Sequence, residues 1–564
     1  MRVLKNLLKD FKEGNFLTKE LLLVALTFLA LVYFVINYGE RQTIIGSIMR
    51  AEPLFLAANF ILVIVLIAMS FRKIFAQFKK ISRRAWLLLA AIFILGLLLR
   101  TAVAPRTHRL YFDEDIYLDI GKQILLDGRG CLCNYGTANE CFNCELMKWP
   151  NGYTFMLATA YSLFGVSENT AFSFVTALGS LSVVMTFFAA YLLTKRESIG
   201  LFAALLLALT PLLVTWSTTV ATEPVFVFFS IATVTLFLLS HDDKKIFLLA
   251  MLLLAMTVQI KTEGIIFLPI VAVLLFLEKN KNAKNIMPWL IFFVLITPYL
   301  IHIYHASKVD TWGSSGEKFG INYMAKNIQD NLAFWINGYP NIEHPLLFTI
   351  FAVVGLLTWK DRKNIFLAVW FAALFLLYSS FYAGSVRYGV DVRYALLQYP
   401  PLLILAACGM HYITKLRTGV KNFETIVTVL LVAAVAVSFY VYLPTIMTPP
   451  EKIQEAIQAR VYHDFVLREI SNLDESCFVL SHDPSIYLVS GQPSLQSWMG
   501  TDRKIMGELW NKTDCVIFDK DFWCGIEPYK SSECNTIFTE YPASIKIAET
   551  NSSVGSYALY RLKK

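Results

Sequence analysis

Charged residues are scarce in this sequence, and their scarcity excludes a soluble protein. Only 16% of the 564 residues are Asp, Glu, Lys or Arg, whereas 56% are hydrophobic and the mean hydropathy is +0.54. Soluble domains carry about 25% charged residues. Long apolar runs recur along most of the chain, so the sequence predicts a polytopic α-helical membrane protein.

A continuous basic patch is also missing, which argues against a nucleic-acid partner. The formal net charge is +8, but Lys and Arg gather in short segments between apolar runs, as they do in cytoplasmic loops. No cleavable signal peptide is evident, because residues 1–20 are basic and amphipathic and the apolar run that follows is long enough to span a bilayer. We expect that first span to act as the membrane anchor.

About 13 apolar runs approach the roughly 20 residues that a spanning helix needs. They cover residues 21–38, 53–71, 85–99, 171–193, 200–216, 224–239, 246–260, 265–277, 287–304, 345–359, 365–382, 395–412 and 423–442. Lys and Arg occupy every second connection, which predicts a cytoplasmic N-terminus. The outward connections then include a loop at residues 101–169, a second at 305–344, a shorter one at 383–393, and the tail after residue 443. We expect a multi-pass protein of the plasma membrane with an extracytoplasmic C-terminal domain.

The hydropathy pattern divides the chain into three parts. Residues 1–84 hold the amphipathic segment and two spans, residues 85–446 form a transmembrane domain with large outer loops, and residues 447–564 are more polar. Short β-rich runs at residues 477–480 and 515–518 alternate with polar stretches in the tail. This pattern predicts a small α/β domain outside the membrane.

Eight of the nine cysteines lie in segments predicted to face outward. Four belong to the first outer loop, four to the tail, and one to a span: Cys131, Cys133, Cys141, Cys144, Cys477, Cys515, Cys524, Cys534 and Cys408. An even number of cysteines on the oxidising side favours disulfides. The loop spacing, C-x-C followed by C-x-x-C, also suits a zinc ion. Either arrangement would be structural.

Three consecutive acids, Asp113, Glu114 and Asp115, stand in the first outer loop. Exposed acids at a membrane exit commonly do no more than solvate a loop. If the segment is helical, Asp113 shares one face with Tyr117, whereas Asp115 points elsewhere, so only one or two of the acids can face a site. We expect Asp115 to face solvent or to support the loop.

Two further ionisable residues occur at predicted outward turns. Glu223 precedes Pro224 at the start of a span, where an acid also suits the first turn of a helix as a plain cap. Lys261 breaks the positive-inside trend, which an anionic ligand would explain. The alternative for Lys261 is a local ion pair with Glu263 or a side chain that reaches towards the interface.

Arginines stand just before another span that descends from the outer side. Arg387 and Arg393, the latter followed by Tyr394, are suited to binding phosphate oxygens in pairs. Asp391 could neutralise one of the two. Acids and cations at the same membrane boundary are the layout expected for transfer chemistry on an anionic substrate whose tail stays in lipid.

These residues resemble the GT-C membrane glycosyltransferases, in particular the protein O-mannosyltransferase and aminoarabinose-transferase group (glycosyltransferase family 39 type). The Asp113-Glu114 pair with a nearby Tyr is similar to the signature of that group. Further similar segments follow in order: Lys148-Trp149-Pro150-Asn151-Gly152-Tyr153, Leu209-Thr210-Pro211, Thr222-Glu223-Pro224, Lys261 with Gly264, and Arg393-Tyr394 leading to Tyr399-Pro400. The resemblance covers residues 85–412. Two features depart from it: Glu223 stands where Asp is common, and the Trp-Trp-Asp-Tyr-Gly signature of oligosaccharyltransferases is missing.

The resemblance implies a polyprenyl-phosphate sugar donor, with a dolichyl or undecaprenyl chain, and a hydroxyl-type acceptor on a protein, lipid or glycan. It implies that Asp113 acts as general base in an inverting transfer and that Glu114 orients the acceptor or the sugar. It assigns substrate binding to Glu223, Lys261, Arg393, Tyr394, Tyr117 and Lys148. No cofactor is indicated with certainty.

Two questions stay open from the sequence. A divalent metal is one: His302 and His305 could join carboxylates around an ion, although histidines at a membrane boundary are more often polar anchors. The other is the class of protein, since a lipid or solute transporter or flippase could also line a path with acids and cations. We find no internal repeat, and the charges fall at helix ends, so we favour the enzyme. We expect the loop at residues 305–344 to lie along the membrane and to move over the donor.

Overall fold

The computed structural model describes five positions between residues 27 and 33, and then residues 40–110, 113–308, 318–337, 343–359, 361–387, 391–416, 422–449, 454–521, 523–526, 528–552 and 555–563. The chain forms two compact units. The first, called the membrane unit, comprises Met1–Pro105, Lys148–Tyr153 and Val175–Thr448. The second, called the sheet unit, comprises Arg106–Met147, Thr154–Phe174 and Pro449–Lys564.

Helices make up most of the described chain. In order they are α1 (Arg41–Phe78), α2 (Arg83–Leu98), α3 (Asp113–Asp127), α4 (Gly152–Phe164), α5 (Glu168–Thr194), α6 (Glu197–Ala208), α7 (Pro211–Trp216), α8 (Glu223–Leu239), α9 (Lys244–Ile260), α10 (Phe267–Leu277), α11 (Ile286–Ala306), α12 (Ile321–Asn337), α13 (Leu346–Thr358), α14 (Arg362–Ser379), α15 (Tyr399–Thr414), α16 (Phe423–Ile446), α17 (Gln454–Ile470), α18 (Pro484–Val489), α19 (Arg503–Trp510), α20 (Trp523–Ile526) and α21 (Pro528–Glu540). A 3₁₀ segment at Thr262–Ile266 precedes α10, and another at Asp391–Gln398 precedes α15.

Seven helices of the described chain are long and apolar enough to cross a membrane: α1, α2 with its extension to Val103, α5, α11, α14, α15 with the preceding turn, and α16. Shorter apolar helices include α6, α8, α10 and α13. Twelve of the 13 predicted apolar runs coincide with helices, and the run at residues 21–38 lies largely outside the described residues. An integral membrane protein is therefore supported, while the number of spans and their orientation stay predictions.

Local sequence explains where several membrane helices begin. The side chain of Ser82 accepts a hydrogen bond from the Ala85 backbone N–H at the start of α2. Asp243 accepts from two backbone N–H groups at the start of α9, and Asp361 accepts from one at the start of α14. Such caps satisfy backbone donors that the first turn of a helix leaves unpaired. Polar residues between the apolar runs therefore delimit the helices as well as their loops.

One seven-stranded sheet runs through the sheet unit. Its strands are β1 (Leu132–Gly136), β2 (Cys141–Glu145), β3 (Phe478–Ser481), β4 (Ser494–Gln496), β5 (Val516–Lys520), β6 (Ile545–Ser552) and β7 (Gly555–Arg561). The spatial order is β2-β1-β4-β3-β5-β7-β6. β3 pairs in parallel with β4 and β5, and the other neighbours are antiparallel. The α/β tail predicted from the sequence thus contains the centre of this sheet.

Alternating side chains of the central strands fill a core on each face of the sheet. Val479 and Ile517 pack on one face with residues of α17, including Tyr462. Leu480 and Phe518 pack on the opposite face with residues of α19 and α21. Period-2 alternation produces this division, because successive side chains of a strand point to opposite faces. The central parallel strands are therefore buried on both sides.

Four disulfides stabilise the sheet unit. They join Cys131 to Cys144, Cys133 to Cys141, Cys477 to Cys515, and Cys524 to Cys534. Cys408 of α15 is a buried free thiol. The structure therefore bears out the disulfide interpretation over the zinc interpretation for the loop cysteines. A disulfide adds about 2–4 kcal/mol of stability, chiefly by restricting the unfolded chain.

The observed units differ from the three predicted parts of the chain. The first outer loop was assigned to the transmembrane part at residues 85–446, but its strand β1 pairs with β4 of the tail through Tyr135 with Leu495 and Gly136 with Ser494. Residues 1–84, treated as a separate part, fall within the membrane unit. Pairing between segments about 350 residues apart leaves no local pattern in the sequence, so the hydropathy profile could not show it.

Candidate functional site

Two cations meet one buried carboxylate in the membrane unit. Glu223, the first residue of α8, has 1% of its surface exposed. Lys261 Nζ donates a hydrogen bond to Glu223 Oε1 over 2.7 Å, and Arg393 Nε lies 3.4 Å from the same oxygen. Glu263 is farther, at 4.0 Å from Lys261 Nζ. The local pair with Glu263 is therefore the weaker contact of Lys261.

Tight turns place the two cations. Lys261 has extended backbone between α9 and the 3₁₀ segment at Thr262–Ile266. A Cβ atom on Gly264 would come within 2.5 Å of the Val258 carbonyl oxygen, so the turn can close this tightly only with glycine. Arg393 lies in the 3₁₀ segment that leads into α15. Both cations thus sit at helix ends, as the sequence predicted.

Two stacked tyrosine rings lie beside the cations. The Tyr394 ring stacks on the Tyr378 ring with centroids 4.4 Å apart and planes 9° from parallel. Lys261 Nζ lies 5.2 Å from the Tyr394 ring centroid, and the guanidinium carbon of Arg393 lies 5.3 Å from it. Cations within about 6 Å of an aromatic face are attracted to it. Of the predicted binding residues, the structure brings together Glu223, Lys261, Arg393 and Tyr394, and we call them the cation cluster.

The cation cluster has the chemistry of an anion site. Buried charges are stable only when they are paired. Glu223 holds the two cations next to each other, and this pairing reduces the desolvation cost of burying them. The side chains of Lys261 and Arg393 have 9% and 12% of their surface exposed. Two adjacent cations in low dielectric attract a phosphate strongly, because Coulomb energy rises as the dielectric falls.

Arg387 pairs with a carboxylate outside the cation cluster. Its Nε lies 3.1 Å from Asp330 Oδ1 of α12, and the Ser385 hydroxyl donates a hydrogen bond to Asp330 Oδ2. Nearly half of the Arg387 side chain is exposed. The amphipathic stretch of the second outer loop therefore forms a helix, α12, that anchors the segment before Arg393. Motion of this loop over a donor stays a prediction.

Helix α1 supplies a carboxylate that the sequence did not single out. Glu52 is fully buried and accepts hydrogen bonds from the backbone N–H and the side-chain amide of Asn151, at 3.0 and 2.7 Å. Its Oε2 also lies 2.5 Å from His302 Nδ1. The extra N-terminal helix therefore anchors the Lys148–Tyr153 segment. His302 is engaged as a polar anchor in this network.

Lys148, predicted to bind substrate, belongs to the same segment. Its Nζ lies 4.6 Å from the Trp149 ring centroid. A Cβ atom on Gly152 would come within 2.3 Å of the Gln259 carbonyl oxygen, so this segment approaches α9 too closely for any other residue. The motif is thus packed against two helices of the membrane unit, and a substrate role for Lys148 stays a prediction.

The three acids of the sheet unit diverge, as their helical spacing indicated. Asp113 is the first residue of α3 and is half-buried. Glu114 is fully buried and accepts hydrogen bonds from the Arg109 and Leu110 backbone N–H groups, at 2.9 and 3.0 Å. His108 Nδ1 lies 2.9 Å from its other oxygen. Glu114 therefore orders the turn that precedes α3.

Asp115 was expected to face solvent or to support the loop, and the first of these alternatives is wrong. Only 2% of its surface is exposed, and its Oδ1 lies 2.8 Å from His463 Nε2. Tyr117 is also buried, at 4% exposure. Asp119 accepts hydrogen bonds from the Cys133 backbone N–H and from Gln123, and burial raises its pKa to about 6 despite these donors. Asp113 is thus the least buried of the acids at the start of α3.

Two histidines near these acids were missed by the sequence reasoning. The rings of His108 and His463 stack with centroids 4.2 Å apart. His463 Nδ1 lies 3.1 Å from Glu168 Oε1. Burial and His463 lower the pKa of His108, but Glu114 and Glu168 outweigh them and raise it to about 9. The available signal was the rarity of histidine, with 8 in the whole chain.

A second buried polar group lies at the carboxyl ends of β3 and β5. Asp519 Oδ2 accepts hydrogen bonds from the Tyr462 and Ser481 hydroxyls, at 2.6 and 3.0 Å. Burial, with a further contribution from Asp521, raises the pKa of Asp519 to about 7. His482 Nδ1 lies 3.1 Å from Asp521. His482 and Asp521 directly follow β3 and β5, where polar turns are common.

Part of the chain matches a known family. Residues 148–305, which include Glu223 and Lys261, match the family described as dolichyl-phosphate-mannose-protein mannosyltransferase. An uncharacterized protein of Aquifex aeolicus (strain VF5) is 25% identical over 345 residues, or 58% of this chain. The match spans 65% of that relative's length.

Solved structures share the fold. ArnT from Cupriavidus metallidurans, bound to undecaprenyl phosphate, is similar with a TM-score of 0.56 and 12% identity, covering 85% of this chain and 98% of ArnT. AglB from Archaeoglobus fulgidus, in complex with an inhibitory peptide and a dolichol-phosphate, has a TM-score of 0.50 and 12% identity, covering 85% of this chain and 74% of AglB. The family match and the shared fold confirm the GT-C resemblance seen in the motifs.

Proposed function

We propose that this protein is a membrane glycosyltransferase that moves a sugar from a polyprenyl-phosphate donor to a hydroxyl-type acceptor on the extracytoplasmic face. The observation that carries the proposal is the cation cluster, in which Glu223 holds Lys261 and Arg393 side by side within the fold shared with ArnT. Paired cations suit a lipid-linked phosphate better than a neutral solute. The solved ArnT and AglB structures hold undecaprenyl phosphate and dolichol-phosphate, which are ligands of the same chemistry.

The donor phosphate is the group that the cation cluster would bind. Lys261 and Arg393 neutralise it in the ground state and stabilise the charge that grows on it as the sugar leaves. Polyprenyl phosphate is then released with the electron pair of the broken bond between the anomeric carbon and the phosphate oxygen. Tyr394 supports both cations through its ring face. Glu223 acts by positioning them.

Asp113 is the proposed general base. The acceptor oxygen attacks the anomeric carbon from the side opposite the phosphate, which inverts the configuration, and its proton passes to the Asp113 carboxylate. Asp113 suits this role because it is half-buried at a helix start, whereas the side chains of Glu114 and Asp115 are buried. We assign Glu114 a positioning role, since it orders the turn before α3.

A reconstituted assay tests the proposal. Purified protein in liposomes is supplied with a panel of labelled polyprenyl-phosphate sugars, and both released polyprenyl phosphate and transferred sugar are measured. Transfer that depends on Asp113 and Arg393 supports the enzyme. Movement of the intact donor across the bilayer without cleavage would support a flippase instead.

A further inference from the structure

Three potential metal-binding atoms converge inside the sheet unit. His108, His463 and Asp115 each offer one ligand atom, and these three atoms all lie within 4.8 Å of one another. Their side chains are buried, with 3%, 4% and 2% of their surface exposed. Asp115 Oδ1 and His463 Nε2 are 2.8 Å apart, and His108 Nε2 lies 3.5 Å from Glu168 Oε1. Imidazole nitrogens and carboxylate oxygens thus face one another in a buried cluster of the kind that can hold a metal ion.

The outer nitrogen of each imidazole is already oriented by a carboxylate. His108 Nδ1 lies 2.9 Å from Glu114 Oε2, and His463 Nδ1 lies 3.1 Å from Glu168 Oε1. Metal-binding histidines almost always pair their second nitrogen with a carboxylate, a carbonyl or water, because this fixes the ring and makes the ligating nitrogen more basic. Both Nε2 atoms are therefore set up as ligands by the same device.

Charge in this group favours an added cation. The group contains two imidazoles and the carboxylates of Glu114, Asp115, Glu168 and Asp483, the last of which interacts directly with Asp115. Carboxyl groups thus outnumber imidazole rings by four to two. A divalent ion adds positive charge to such a group and binds neutral imidazoles, so the stacked rings, 4.2 Å apart, need not both be cations.

We propose that His108, His463 and Asp115 bind one Zn²⁺ ion. Two imidazole nitrogens with one carboxylate oxygen are a ligand set that zinc accepts, whereas Mg²⁺ and Ca²⁺ take mainly oxygen ligands. The ligands come from the turn before α3, from α3 itself and from α17. The ion therefore joins the first outer loop to the tail. It adds a metal cross-link to the sheet unit, which strand pairing and the four disulfides already stabilise. The donor-binding residues of the membrane unit take no part in it.

Metal analysis of the full-length protein tests this site. The protein is purified in detergent with a tag that contains no histidine, and its zinc is measured by plasma mass spectrometry. We expect about one zinc per chain, as for a folded structural site. His463→Ala and Asp115→Asn should each lower zinc content or affinity by at least about tenfold. The matched control is His482→Ala, which removes another buried histidine of the sheet unit and should keep the zinc.

X-ray absorption at the zinc edge gives a second readout that needs no variant. We expect imidazole nitrogen and carboxylate oxygen at about 2.0–2.2 Å. Sulfur scattering at about 2.3 Å would place the ion on cysteines and overturn the assignment. Wild-type protein that stays free of zinc after incubation with equimolar zinc chloride would also overturn it, as would full zinc content in both ligand variants. These readouts do not depend on glycosyl transfer, so the site can fail while the proposed function stands, and the reverse.

Discussion

The buried polar clusters of the two units differ in their ratio of basic to acidic groups. In the membrane unit, Lys261 and Arg393 share the carboxylate of Glu223, and Glu263 lies farther away, at 4.0 Å from Lys261 Nζ, so two cations face one close carboxylate. In the sheet unit, carboxyl groups outnumber the imidazole rings of His108 and His463 by four to two, so acidic groups are in excess. An excess of one sign in low dielectric attracts the other sign. The comparison indicates an anion ligand for the first cluster and a cation ligand for the second.

Removing the proposed base should have the largest effect. Asp113→Asn keeps the size of the side chain but removes its ability to accept a proton, so transfer should fall by about 10²–10⁴-fold. The measurement is release of polyprenyl phosphate from the labelled donor. Asp127→Asn at the exposed end of the same helix is the matched control and should retain activity. Undiminished turnover in Asp113→Asn would remove Asp113 from the mechanism.

Weakening the cation cluster should affect the donor specifically. Arg393→Met removes one charge and should raise the KM for the donor by about 10–100-fold, the loss expected for a charge-assisted contact. Arg393→Lys should restore part of the affinity. Lys308→Met, which removes an exposed cation, serves as control. An unchanged donor KM in Arg393→Met would show that the cluster is structural. The membrane unit would then have no anion site to contrast with the sheet unit.

Substitution of Glu52 tests whether this buried carboxylate is structural or belongs to the cation cluster of the same unit. Glu52→Gln leaves one of its buried partners poorly paired, so the free energy of unfolding should fall by about 2 kcal/mol. The melting temperature in detergent measures this loss. Donor KM should change little, because Glu52 contacts Asn151 and His302 rather than the cations. Equal stability with a raised KM would place Glu52 in the site instead.

The last prediction concerns pH. Asp519 holds its proton to a pKa of about 7 in the fold, against 3.8 for an unperturbed aspartate. Stability from this group is therefore complete below about pH 4 and is lost as the pH rises towards 7, by about 1 kcal/mol per pH unit. Asp519→Asn should flatten the fall of melting temperature between pH 5 and 7. The exposed Glu508→Gln should leave the slope unchanged, and a slope that persists in Asp519→Asn would assign it to another group.

Much of the candidate site could be predicted from the sequence because its residues stand at the ends of apolar runs. Glu223, Lys261 and Arg393 stand at helix ends next to apolar runs, where an ionisable residue is visible against its background. Their meeting on one oxygen could not be predicted, since helix packing sets which turns approach. Glu114 and Asp115 show the same limit: adjacent in sequence, they bond to different partners, and burial of Asp115 contradicted the expectation of solvent exposure.

By itself, the sequence determined the class of protein and the positions of most helices, and it favoured disulfides for the cysteines, because hydropathy and residue spacing are local signals. Only the tertiary structure decided the pairing of β1 with β4, the role of Glu52 in holding Asn151, and the approach of His463 to Asp115. These contacts join residues that are about 100 to 360 positions apart. No periodic pattern spans such distances, so packing alone creates both charged clusters.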